Sequence, residues 1–325
     1  MQAAKIYQTG GADVFTLEEV ETASPGASQV RIRQTVAGLN FIDVYMRTGM
    51  YPVAALPAIL GMEAAGTVVE VGEGVSDFSI GDRVAYAMVT GAYTQERVIA
   101  ADKLVRLPDT IEDETAAALM LKGLTAHYLL FRTYPVQAGE SILVYAAAGG
   151  VGSLLCQWAS HLGARVIGCV GNEEKAEIAK ANGCHHTILY KQENIPQQVK
   201  RYTDGEGVSV VYDAVGKTTF EDSLDALRPF GMMVSYGNAS GKVAPFDPSV
   251  LAPKGSLYVT RPTLATHVAT RELLLDGADQ LFTALAQNII KPNIQQKWPL
   301  AEVAEAHRAL ESGATAGASV LTLLQ

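Results

Sequence analysis

The chain is poor in cysteine: three in 325 residues, at Cys156, Cys169 and Cys184. No CxxC or HxxC spacing joins them, so neither a zinc site nor a disulfide framework is suggested. Cys156 falls in an apolar helical run and Cys169 in an apolar strand, and both read as small core residues. The compartment expected from this usage is the reducing cytoplasm. Cationic charge is scarce as well, with 25 Lys and Arg against 34 Asp and Glu, a net charge of −9. That balance disfavours a broad electrostatic footprint for nucleic acid or an anionic membrane, so an anionic ligand has to be captured locally. No apolar stretch is long and uninterrupted enough to cross a bilayer, and the first residues lack the apolar core of a signal peptide. Glycine, in contrast, is plentiful at 30 residues, which implies many tight turns or close backbone approaches.

At this length two domains are the natural expectation. The first hundred residues read as short strands punctuated by Gly and Pro, at 30–36, 66–71, 82–86, 98–100 and 104–107, which suggests a compact β-rich domain. The pattern then changes. A helix is expected over 113–130, after which strands at 141–145, 165–170, 208–214 and 231–236 alternate with helices at 151–161, 173–182 and 219–227. Such alternation implies a doubly wound parallel sheet. A last strand is expected at 256–260, then helices at 270–288 and 301–311 and a terminal strand at 319–324. That terminal strand has no partner among the βα units. Pairing it with the N-terminal β-rich domain makes the α/β region an insertion, giving one domain of 1–124 and 266–325 and another of 125–265.

The strand at 141–145 runs through Ala146-Ala-Ala-Gly-Gly-Val-Gly152 directly into a helix. Small residues at Ala147, Gly149 and Gly152 permit a tight turn, close approach of a pyrophosphate to backbone amides, and helix–sheet packing. The helix dipole then points its positive end at the phosphates. Ala148, Gly149, Gly150, Val151 and Gly152 are therefore assigned to a dinucleotide, the alternative being a plain strand–helix turn. The second strand ends in Val170-Gly171-Asn172 without the carboxylate that would hold both ribose hydroxyls of NAD. Lys175 follows in the first helical turn, where it can pair with a 2′-phosphate or simply be solvated beside Glu173 and Glu174. Tyr190, past the next strand, can cover the adenine or phosphate edge. The cofactor expected is NADPH.

At this point the sequence resembles a known family. The segments 139–160, 38–45, 60–66, 121–126 and 255–262 resemble the quinone oxidoreductases related to zeta-crystallin, in the medium-chain dehydrogenase/reductase superfamily. The resemblance covers essentially the whole chain. It implies a GroES-like β-rich catalytic domain formed by both chain ends, with an inserted Rossmann domain. Where the zinc alcohol dehydrogenases of that superfamily carry metal-binding cysteine and histidine, this chain has Asn40, Met62 and Leu121; Glu63 alone cannot make a tetrahedral site. No metal is expected, and the six histidines read as surface or cap residues.

The resemblance further implies that Lys122 and Thr125 approach the cofactor at the domain junction. It places Gly237 and Asn238 near the nicotinamide, Gly171, Val215 and Gly216 along the adenosine side, and Ser319 within reach from the return strand. A homodimer through strand 256–260 is implied too. Asn40, Tyr45 and Tyr51 are the candidate catalytic residues, expected in the loop after the second long strand. Asn40 would orient the nicotinamide ribose or a substrate oxygen. Tyr45 and Tyr51 would stack on the substrate or donate to a developing phenolate, although core packing suits them equally. Asp43 reads either as part of this site or as a helix cap. The reaction expected is metal-free reduction of quinones by NADPH. The alternatives are a 2-alkenal or enone reductase on the same scaffold and, in another class, an NADPH-binding structural or RNA-binding protein. The acidic charge and the lack of a basic, aromatic-rich strip argue against RNA.

Overall fold

The structure is a computed structural model, and it describes residues 1–323. The chain divides into two compact units. One holds Met1–Leu124, Val268–Asp279 and the chain from Pro292, and the other holds Thr125–His267 and Gln280–Lys291.

In the first unit, β1 (Gln2–Ile6), β2 (Phe15–Glu19), β3 (Gln29–Leu39), β4 (Ala58–Ile59), β5 (Glu63–Val71), β6 (Arg83–Ala87), β7 (Glu96–Ala100) and β8 (Val105–Arg106) follow one another. Two helices accompany them, α1 (Phe41–Arg47) and the first part of α2 (Asp113–Tyr128). The eleven-residue β3 organises this unit. Val30, Ile32, Gln34, Val36 and the final Leu39 are buried, the alternation of a strand with one face in a core. β5 pairs antiparallel along β3 from Val30 to Ala37, and β7 pairs with its first half, Gln29–Arg33.

In the second unit, β9 (Ser141–Tyr145), β10 (Arg165–Val170), β11 (His186–Leu189), β12 (Val208–Asp213), β13 (Leu227–Ser235) and β14 (Tyr258–Thr260) form one parallel sheet. The order is β11-β10-β9-β12-β13-β14. The strand order reverses at β9. Right-handed crossovers therefore put the helices of the two halves on opposite faces, the doubly wound Rossmann arrangement. The connecting helices are α3 (Gly150–His161), α4 (Glu173–Ala181), α5 (Ile195–Tyr202) and α6 (Phe220–Asp225), followed by the short α7 (Leu264–His267). A continuous core of Leu143, Ile167, Cys169, Ile188, Val211 and Met233 lies under them. Two expectations are corrected here. The helix expected over 219–227 stops at Asp225, and the strand expected from Gly231 begins at Leu227. Pro229 does not end a helix: with Phe230 (φ 62°) it sits in a bulge, where pairing skips from Val208–Leu227 to Val210–Met232.

The chain ends in α8 (Arg271–Ala286), β15 (Ile294–Pro299), α9 (Val303–Glu311) and β16 (Ala318–Thr322). β16 pairs antiparallel with the Val36–Leu39 end of β3 and parallel with β15. The return strand thus joins the N-terminal sheet as expected, with β15, a strand the sequence did not suggest, as its second partner. Leu324, the last residue of the expected strand, lies outside the described residues.

Candidate functional site

The turn after β9 is built by close backbone packing. Ala146 is left-handed (φ 51°), the Gly149 N–H donates to the Ala146 carbonyl at 2.8 Å, and Gly149 becomes the N-cap of α3. A Cβ on Gly152 would stand 2.1 Å from that same carbonyl, so only glycine fits. Ala148 is buried, while Gly149, Gly150 and Val151 are half-buried. The first amides of α3 have no intrahelical acceptor and carry the positive end of the dipole, so a phosphate fits this cradle.

β10 ends at the buried Val170, then Gly171 and Asn172. The Asn172 Oδ1 caps α4 by accepting from the Lys175 N–H at 2.9 Å. Burial, and after it the neighbouring Lys191, lowers the Lys175 ammonium pKa below its ordinary value. The Tyr190 ring stands 3.5 Å from where a Cβ of Gly171 would be. Two cations and an aromatic ring therefore gather where an NAD-selective fold places a carboxylate, an arrangement that fits a 2′-phosphate. Lys191 was not foreseen; its signal was the cation next to Tyr190.

At the end of β12 the buried Asp213 fixes the next turn. Its Oδ1 accepts from the Val215 and Gly216 amides at 2.7 and 3.0 Å, and its Oδ2 from the Thr219 and Ser223 hydroxyls at 2.7 and 3.2 Å. Burial raises its pKa, and these four donors oppose the rise. The turn after β13 packs directly against it. The Tyr236 N–H donates to the Asp213 carbonyl, and a Cβ on Gly237 would stand 2.2 Å from the Ala214 carbonyl. Val215, Gly216, Gly237 and Asn238 are thereby brought together at the carboxyl ends of adjacent strands, the crevice where open α/β sheets bind ligands. Asp213 was missed in the sequence, although it closes an apolar strand just before a glycine turn.

In the first unit the stretch directly after β3 is a helix and not a loop, which corrects the expectation for Asn40 and Tyr45, whereas Tyr51 does lie in the bend that follows it. Asn40 is the N-cap of α1, and Tyr45 lies inside that helix, buried, with its ring 5.1 Å from Tyr51 in an edge contact. Asp43 is indeed a cap: its Oδ2 accepts from the Asn40 N–H at 2.9 Å, the return half of a capping box. The Asn40 Nδ2 donates to the Glu63 Oε1 at 2.8 Å. The same oxygen holds the Lys122 ammonium at 2.8 Å, and Oε2 accepts from the Leu121 N–H at 2.6 Å. Asn40, Glu63 and Lys122 are all buried. Gly38 makes room for the hub, since a Cβ there would lie 2.2 Å from Glu63 Oε1. Thr125 is buried three residues beyond Lys122 on α2. Ser319 stands opposite Leu39 in the ladder, beside the start of α1, and its hydroxyl donates to Gln296 at 3.0 Å.

The histidines correct another expectation. His127 and His307 are buried, His307 completely, while His161, His185 and His186 are exposed. Among the described residues no three His, Cys, Asp or Glu side chains group as a metal site, and no helix is long and apolar enough to cross a membrane.

Comparison with known proteins agrees with this geometry. Residues 26–134 match the alcohol dehydrogenase GroES-like domain, and residues 150–274 match the family described as zinc-binding dehydrogenase. The chain is 50% identical to a quinone oxidoreductase of Pseudomonas aeruginosa over 96% of each protein. It is 45% identical to a 2-haloacrylate reductase of a Burkholderia species, over 99% of this chain and 98% of that one. The crystal structure of Escherichia coli quinone oxidoreductase complexed with NADPH superposes with a TM-score of 0.97 at 45% identity, covering 99% of this chain and 100% of that one.

Proposed function

The chain belongs to the zinc-independent quinone oxidoreductases of the medium-chain dehydrogenase/reductase superfamily, and from that membership we propose that it reduces quinones with NADPH. The observation that carries this reading is the pairing of the Gly152 cradle with a carboxylate-free β10 terminus beside Lys175. NADPH supplies the hydride when bound. The amides of Ala148, Gly150, Val151 and Gly152 would hold the pyrophosphate, with Gly149 closing the turn on Ala146, and Lys175 and Tyr190 would hold the 2′-phosphate beside Gly171 and Asn172. Val215, Gly216, Gly237 and Asn238 line the crevice, and Thr125 and Ser319 complete the cofactor contacts.

Glu63 fixes the role of Asn40. With Nδ2 engaged by that carboxylate, the amide oxygen is the atom presented as an acceptor for a ribose hydroxyl. Lys122, bound to the same carboxylate, adds a cation close to Asn40. Tyr45, buried, supports Tyr51 through an edge contact, and the half-buried Tyr51 is the ring against which a quinone would stack, with water excluded. In this reading residues 1–124 and 266–325 form the catalytic domain and 125–265 the cofactor domain, in the cytoplasm. Two copies associate along the open edge of β14, where Tyr258 is 56% exposed.

A second reading, reduction of an electron-poor alkene, is favoured by the likeness to the 2-haloacrylate reductase. It needs a proton donor to the α-carbon, and the half-buried Tyr51 is the candidate. The test is oxidation of NADPH and NADH against 1,4-benzoquinone, 9,10-phenanthrenequinone and a 2-alkenal. Turnover of NADPH with quinones supports the first reading. Turnover with the alkenal alone replaces it by the second, and tight NADPH binding without turnover replaces both by a binding role.

A further inference from the structure

Asn40 is held at two points, by Glu63 through its side chain and by Asp43 through its backbone N–H. Behind Asp43 the chain of contacts continues. The Tyr93 hydroxyl donates to Asp43 Oδ2 at 2.8 Å and lies 3.3 Å from His307 Nε2, and all three residues are fully withdrawn from solvent. We propose that Asp43, clamped by Tyr93 against His307, is the positioning residue that holds Asn40 in register for the reaction.

A helix cap alone does not require this arrangement. A solvent-exposed Ser or Asp caps a helix well, whereas a buried carboxylate is costly. Asp43 Oδ1, Arg47 Nη1 and His307 Nδ1 are moreover buried with no hydrogen-bond partner, three uncompensated polar atoms in one cluster. An apolar cluster of the same volume would be the more stable solution, so stability alone does not account for the polar one.

The relay has two states. With Asp43 ionised, the Tyr93 proton points at the carboxylate, and the Asn40 N–H makes a charge-assisted bond to it. With Asp43 neutral, that bond weakens and the Tyr93 proton is free to turn to His307 Nε2. The charged and titratable groups around Asp43 are Glu63, Lys122, Arg47, Tyr86, Tyr93 and His307, with Arg47 paired in turn to Glu311. Burial is the largest influence and pushes the Asp43 pKa up to about 7, while the Tyr93 hydrogen bond opposes the rise.

The proposal rests on the reading of Asn40 as a cofactor-binding residue, and the test separates the two. kcat/KM for NADPH is measured against pH, with NADPH affinity by fluorescence titration and a thermal melt, for wild type, Asn40→Ala, Asp43→Asn, Tyr93→Phe and Asn40→Ala/Asp43→Asn. The wild-type kcat/KM is expected to rise with pH through about 7. Asp43→Asn should be pH-independent in that range and roughly tenfold weaker at alkaline pH. Tyr93→Phe keeps the ring and loses only the hydroxyl, so it serves even where Asp43→Asn fails to fold; its inflection should move to higher pH. The double variant should be no worse than Asn40→Ala alone. Folded Asp43→Asn and Tyr93→Phe proteins with the wild-type pH profile would overturn the relay, as would additive effects of Asn40→Ala and Asp43→Asn. An Asn40→Ala protein with unchanged affinity and rate would overturn the reading of Asn40 and the relay with it.

Discussion

The Lys122 ammonium lies 2.8 Å from the Glu63 carboxylate, and the two side chains are only 6% and 0% exposed. A buried pair of this kind adds little over an apolar pair, but breaking it leaves an uncompensated charge. Glu63→Gln keeps the shape and strands the lysine, so a stability loss of about 3–5 kcal/mol is expected in urea denaturation. Glu63→Gln/Lys122→Met should recover most of that loss, because no buried cation then remains. A double variant as unstable as the single one would mean that Glu63 acts through Asn40 and Leu121 rather than through Lys122.

Gly152 gives a cleaner test of the cofactor cradle. Gly152→Ala drives a methyl group against the Ala146 carbonyl, so the turn must open or α3 must shift. The expected result is an NADPH dissociation constant raised by at least about tenfold, equivalent to about 1.4 kcal/mol, in fluorescence titration, with little change in the melting of the β-rich unit. Unchanged affinity would remove the pyrophosphate from this turn.

The difference between these two sites explains what was legible in the sequence. The cradle is contiguous: seven residues carry the whole steric requirement, and the flanking strand and helix have their own periodicity. The doubly wound parallel sheet and the return of the last strand to the N-terminal β-rich domain are legible too, because strand alternation and an unpartnered strand leave few topologies, whereas the strand order and β3 as the partner come from the structure. The Asn40–Glu63–Lys122 hub joins residues 23 and 59 positions apart from Glu63, and nothing local marks which carboxylate meets which amide. α1 does not stand out in the sequence because its seven residues, Phe41–Arg47, make only two turns with apolar residues on more than one side. His307 looked like a surface residue because one polar ring on an amphipathic helix gives no sign of the Tyr93 and Phe15 rings that enclose it.

Selectivity between the two nicotinamide cofactors should depend on Lys175. Removing one charge-assisted contact, worth about 1.5–3 kcal/mol, lowers NADPH kcat/KM by roughly 10- to 100-fold. NADH lacks the 2′-phosphate, so its kcat/KM should stay unchanged in Lys175→Ala. Lys191→Ala should act in the same direction, more weakly, because Lys191 is exposed and its charge is screened by solvent. A parallel fall with both cofactors would show that Lys175 supports the fold of α4 and not the phosphate.

His307 and Asp43 should leave opposite marks on the pH dependence of stability. Burial, then the Arg47 guanidinium, holds the His307 pKa down at about 3, against an ordinary 6.5. Between those values the unfolded chain binds a proton that the folded imidazole refuses, so stability falls as pH drops through that window. Asp43 runs the other way, raised from 3.8 to about 7. Its folded state keeps the proton more tightly, so its contribution is full below 3.8 and is lost as pH rises through about 7. The two slopes oppose each other over mildly acidic pH, so the combined contribution of this pair to stability should be nearly flat there. Melting temperatures at about pH 5 and about pH 8 separate them. His307→Gln should gain relative to wild type at the acid value, and Asp43→Asn should gain relative to wild type at the alkaline one. Curves for both variants that run parallel to wild type would mean that neither group titrates differently in the folded and unfolded chain.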